Sequence, residues 1–160
     1  MEKPIRKLPR MRGFDYSQEA VYFVTICSHE KKHIFGDVSK IGSNNVFCPS
    51  RIGELVKDNF FRLPERFPEF SLIHFSLLPN HLHFLTMKNK TDHDTAKSVS
   101  DLVGVFKSLS DRAVRNEMSM IRIWQKSFHD HIIRDEKDFQ THWLYIEENL
   151  NRWNEDEYFI

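Results

Sequence analysis

The sequence predicts an α+β fold, an antiparallel sheet with helices packed on one face. Three observations carry this expectation. β-Branched and aromatic runs with strand character alternate with amphipathic stretches of helical period along the chain. Two of the strands meet at a two-residue Pro-Asn connection, which makes them antiparallel neighbours. The order of elements is strand, hairpin, helix, strand, strand, helix, strand, helix. That order matches a split βαβ, ferredoxin-like sheet, with a peripheral hairpin and a further helix appended at the C-terminal end.

Each element has its own local reason. Ala20 to Ser28, "AVYFVTICS", reads as a central strand. In "HIFGDVSKIGSNNVFCPS", the stretch Gly42-Ser43-Asn44-Asn45 is a turn between two short extended pieces, a peripheral hairpin. Ser50 caps a helix in which Ile52, Leu55, Val56, Phe60 and Leu63 recur at helical spacing, and Pro64 closes it. "FSLIHFSLLPNHLHFLTM" holds the two strands that meet at Pro79-Asn80. A polar linker leads to a helix with Val99, Leu102, Val103, Phe106 and Leu109 on one side and Lys107, Arg112 and Arg115 on the other. "IRIWQKSFHDHIIR" reads as a further strand. Asp135 then caps a last helix, with Asp138 three positions on, that runs to about Trp153 on a stripe of Phe139, Trp143, Ile146, Leu150 and Trp153.

Composition bounds the class. The 160 residues suit one domain, residues 1–160, with a basic N-terminal arm over about residues 1–15. Charged residues make up 29% and apolar ones 40%, and no apolar run reaches the roughly 20 residues a bilayer span needs. No apolar segment of signal-peptide length follows the basic start, which predicts the cytoplasm. Cys27 and Cys48 lack metal-site spacing and read as reduced thiols. Formal net charge is zero, but Lys3, Arg6, Lys7, Arg10 and Arg12 load one end, and Glu147, Glu148, Glu155, Asp156 and Glu157 load the other. Such an arm suits a phosphate backbone or is simply solvated, and the acidic tail reads as solvated.

Two constellations carry chemistry. In "LPNHLHFL", His81 and His83 share one face of a strand while Leu82 and Phe84 share the other, a geometry that suits one cation and equally suits two surface histidines. "FHDHIIR" repeats the spacing at His129 and His131, but with the charged Asp130 between them, which ranks it below the first pair. On the last helix Tyr145 and Asn149 lie four residues apart on one face, off the core stripe, flanked by His142 and Arg152. That face also fits an ordinary polar helix surface.

"RGFDYSQEAVYFVTICSHEKKHIFG", "LPNHLHFL", "GVFKSLS", "WQKSFHDHIIRDEKDF" and "YIEENLNRW" together resemble the REP-associated tyrosine transposases, a branch of the single-tyrosine HUH transposases. The resemblance runs over nearly the whole chain in the family's motif order. It implies a histidine pair at His81 and His83, a nucleophile at Tyr145 and a helix-borne amide ligand at Asn149, around a divalent ion, Mg2+ or Mn2+. It implies cleavage and rejoining of single-stranded, hairpin-bearing DNA, of which REP-like palindromes are the usual substrate, through a 5′-phosphotyrosine link. Arg6, Lys7, Arg10 and Arg12 of the arm, with Lys107, Arg112 and Arg115, are the expected backbone contacts. A monomer is expected, with a homodimer exchanging helices as the alternative. The family's pattern has proline after the amide, where this chain has Leu150, and leucine predicts a longer helix. Competing expectations are a DNA-binding module that has lost cutting, a zinc hydrolase recruiting His131 or Asp130, and a domain that binds neither metal nor DNA.

Overall fold

The structure, a computed structural model, describes residues 20–89, 97–119 and 122–157. The expected basic arm lies outside the described residues. The core elements are β1 (Ala20–Cys27), α1 (Arg51–Phe61), β4 (Phe70–Leu78), β5 (His81–Lys88), α3 (Val99–Glu117), β6 (His129–Ile132) and α4 (Glu136–Asn149). A hairpin of β2 (Gly36–Ile41) and β3 (Asn44–Pro49) and a four-residue helix α2 (Leu63–Arg66) complete the set. The main sheet runs in the order β4-β5-β1-β6, with each neighbouring pair antiparallel. This is the order a split βαβ requires, because β5 returns between the two strands that the α1 crossover connects.

Local chemistry explains the elements. Ser50 accepts a hydrogen bond from the Gly53 amide and starts α1. Ser98 and Asp101 form a reciprocal capping box that starts α3. Gly42, at φ 64°, supplies the left-handed residue of the two-residue hairpin turn. α1 ends at Phe61, and Pro64 sits in the first turn of α2.

The two faces of the sheet carry separate apolar clusters. Val24, Ile26, Leu82 and Phe84 pack against Val56 and Phe60 of α1 and Leu102, Val103 and Phe106 of α3. Val21 and Leu85 point the other way and pack against Phe139 and Ile146 of α4. α4 therefore lies across the face opposite α1 and α3 and covers part of what the sequence left open.

Two elements depart from their sequence reading. The strand expected over "IRIWQKSFHDHIIR" shrinks to four residues. Its first half keeps only an isolated bridge from Trp124 to Ser28, with the Gln125 amide donating to the Cys27 carbonyl at 3.0 Å, while Lys107 Nζ donates to the carbonyls of Gln125 and Ser127 at 2.8 and 3.0 Å and Trp124 Nε1 donates to Ser110 Oγ at 2.8 Å. Carbonyls bound to an ammonium are lost to a ladder. The last helix stops at Asn149, before the predicted Trp153, and Leu150 is its C-cap. Asn45 Nδ2, on the hairpin, donates to the Leu150 carbonyl at 2.9 Å, satisfying one of the orphan acceptors that end a helix. The chain then turns through a 3-10 segment, Trp153–Glu155, that buries Trp153.

Candidate active site

The site forms where β5, β1 and α4 meet. His81 and His83 point to the α4 face because Leu82 and Phe84 point into the core. Both rings are essentially inaccessible, and their centroids lie 4.6 Å apart.

Neighbours orient each ring. Asn80 Nδ2 donates to the Lys31 carbonyl at 3.2 Å, which turns its Oδ1 toward His81 Nδ1 at 2.8 Å. An amide oxygen only accepts, so His81 Nδ1 is the donor in this bond and Nε2 is the nitrogen turned to Asp156. Thr25 Oγ1 lies 2.7 Å from His83 Nδ1. Burial, with His81 beside it as a second potential cation, holds His83 well below the usual imidazole range, against the opposing pull of Asp156. A neutral imidazole is the form that ligates a metal.

Asp156 completes the group, and the sequence placed it in a solvated acidic tail. Its carboxylate is 1% exposed, with Oδ2 3.6 Å from His81 Nε2. Asn149 Nδ2 donates to the same oxygen at 2.7 Å. Ligating atoms of His81, His83 and Asp156 all lie within 4.8 Å of one another. Asn149 is itself buried, contrary to the open face expected for it, because the turn after α4 folds back over it. Its Oδ1 is buried without a hydrogen-bond partner among the described residues. Two imidazoles, a carboxylate and a buried amide oxygen are a fitting donor set for a divalent cation. No spacing signal marks Asp156, since seven residues and a helix end separate it from Asn149.

Tyr145 stands beside this group at the helix surface, 39% exposed. Its ring meets His83 edge-on, with centroids 5.1 Å apart at 70°. Phe23 flanks both rings, stacked on His83 at 5.3 Å and edge-on to Tyr145 at 5.9 Å. A cleft of about 590 Å³ opens here, lined by Thr25, His83, His129, His131, His142 and Tyr145 among others. The structure thus brings together His81, His83, Tyr145 and Asn149. Arg112 and Arg115 are exposed on α3, on the opposite side of the sheet, and Lys107 holds the loop after α3.

Among the described residues no helix is long and apolar enough to cross a membrane. No family model matches the chain. A protein of uncharacterised role from Haemophilus influenzae is 27% identical over 172 residues, covering 97% of this chain and 93% of that one. Among solved structures, a REP-associated tyrosine transposase bound to a REP hairpin superposes with a TM-score of 0.63 at 16% identity, covering 100% of this chain and 76% of that chain. A candidate transposase from Deinococcus radiodurans R1 matches with a TM-score of 0.53 at 15% identity, over 88% of this chain and 96% of the other. The motif resemblance is thus matched by the architecture: this chain has the fold of a REP-associated tyrosine transposase.

Proposed function

We propose that the chain is a single-tyrosine DNA strand-transferase of the REP-associated type, which nicks and rejoins single-stranded, hairpin-bearing DNA. The observation that carries this reading is the edge-on contact of Tyr145 with His83, one helical turn from the buried Asn149. It puts a half-exposed phenol at the edge of a buried donor set. The solved transposase with the same fold is bound to a REP hairpin, which supports a hairpin-bearing substrate.

In the proposed reaction Tyr145 Oη attacks a backbone phosphorus as the P–O3′ bond breaks. The phenolic proton leaves, the departing oxygen takes up a proton as a 3′-hydroxyl, and the 5′ side remains on Tyr145. Because one phosphodiester replaces another, a second 3′-hydroxyl can reverse the link and join strands. A divalent cation, Mg2+ or Mn2+, held by His81, His83 and Asp156 with Asn149 Oδ1 nearby, would polarise the non-bridging phosphate oxygens. Helix α4 holds Tyr145 and Asn149 in fixed relation, while Asn80 and Thr25 fix the two imidazoles. Phe23 packs beside both nucleophile and imidazole and gives each an apolar neighbour. Arg6, Lys7, Arg10 and Arg12, with Arg112 and Arg115, supply phosphate contacts, and Lys107 contributes less because its ammonium is shared among carbonyls. We place the activity in the cytoplasm and in a monomer.

The test is a denaturing gel of the protein with labelled single-stranded hairpins and Mg2+ or Mn2+, beside Tyr145→Phe and His81→Ala. A shifted covalent adduct with the unmutated protein alone is expected. Binding without any adduct would replace this reading with a DNA-binding module, and cleavage surviving Tyr145→Phe would point to a metal hydrolase.

A further inference from the structure

We propose that His131, Asp138 and His142 form a second metal site, for a divalent transition ion of the zinc class, separate from the group around His81. His131 pairs with Phe23 across β6 and β1, so its side chain faces α4 as Phe23 does. Asp138 and His142 are four residues apart on α4 and so share the face that meets it. His131 Nε2 lies 2.8 Å from Asp138 Oδ2, and His142 Nδ1 lies 3.0 Å from Asp138 Oδ1. The two imidazoles stack with centroids 4.6 Å apart at 18°, and each turns a nitrogen to Asp138, His131 Nε2 to the carboxylate and His142 Nδ1 both to the carboxylate and, at 2.9 Å, to the Asp138 backbone carbonyl. Three ligating atoms, one from each residue, lie within 4.8 Å of one another.

The surroundings fit a metal site as well as the ligands do. The Arg134 amide donates to Asp138 Oδ2 at 3.0 Å, orienting the carboxylate from outside the ligand set. The cluster stands between two depressions. One is the cleft that holds Tyr145, and the other, of about 310 Å³, is lined by Arg134, Asp135, Lys137 and Thr141. Both provide an entry path and room for water in a fourth position. Two imidazole nitrogens and one carboxylate oxygen, with a fourth position open to water, make a three-ligand set of the kind zinc takes, and cobalt can stand in for it. On binding, each ring moves its proton to its other nitrogen, and the bonds to Asp138 are exchanged for bonds to the ion.

The experiment is equilibrium dialysis of the full chain against Zn2+, with Co2+ absorption as a second readout. Two variants separate the sites: His81→Gln with His83→Gln, and His131→Gln with His142→Gln. The first double variant is expected to retain one equivalent of zinc with a tetrahedral cobalt spectrum. The second is expected to lose one equivalent relative to the unmutated chain, and to lose that share of the zinc-induced rise in Tm. A first double variant that binds no zinc overturns the proposal, whatever happens to the second. Zinc binding unchanged by loss of His81 and His83 would count against the proposed strand-transferase site and leave this one standing.

Discussion

Asn149 Nδ2 hydrogen-bonds to Asp156 Oδ2 across 2.7 Å, tying the last residue of α4 to a carboxylate beyond the next turn. That bond spends the amide's donor on positioning the carboxylate and leaves its oxygen buried. Asp156→Ala should therefore weaken Mn2+ binding by at least about tenfold, as loss of a ligand or its orienting partner does. Glu155→Ala, at an exposed neighbour, should leave affinity unchanged. Isothermal titration with Mn2+ reads both, and equal affinities for the two variants would remove Asp156 from the site.

Asn80 holds His81 in one tautomer from a fully buried position. Asn80→Ala leaves that imidazole N–H and the Lys31 carbonyl without this amide, at a cost of about 1–3 kcal/mol for buried groups that lose a partner. Urea denaturation measures the cost, and nitrogen chemical shifts of a labelled His81 should change from one tautomer to a mixture. A variant that keeps the single tautomer would show that another group sets it.

Gly53 stands where the first turn of α1 crosses the Phe35 backbone, and a Cβ there would collide with the Phe35 carbonyl oxygen. The same oxygen accepts the Ser50 amide at 2.9 Å, so it cannot move without loosening the helix start. Alanine normally stabilises a helix by about 1 kcal/mol relative to glycine. Here Gly53→Ala should instead destabilise by about 1–3 kcal/mol, the usual cost of overpacking. A raised Tm would contradict the close approach.

His74 stacks on Trp143 at 4.1 Å, and β4 brings it there through an irregularity between Leu72 and His74 that lets Ile73 and His74 both serve the α4 face. Burial depresses its imidazole, and Glu147, 3.0 Å away, only partly offsets this. The unfolded chain protonates His74 near pH 6.5 while the folded chain does not. Stability should therefore fall as the pH drops from about 6.5 through the folded value, and should not change above it. Denaturation curves for His74→Gln should lack that share of the decline, and parallel pH profiles would refute the assignment.

What the sequence determined by itself was everything set by neighbours within a turn or a pleat. The stripe Ile52, Leu55, Val56 and Phe60 is buried throughout because a 3.6-residue period leaves it one direction to face, and Leu63 is buried from the first turn of α2. Leu82 between His81 and His83 is buried for the same kind of reason, at a period of two. Ser50, the Pro79-Asn80 turn and the Asp135 cap act over two or three residues, and each stands where the sequence puts it. Tertiary structure alone decided that α4 crosses the face opposite α1 and α3, that it stops at Asn149, and that Asp156 leaves the solvated tail for the histidine pair. Those outcomes rest on contacts such as that of Asn45 with the Leu150 carbonyl, 105 residues apart, and no local pattern encodes which distant donor will satisfy a helix end.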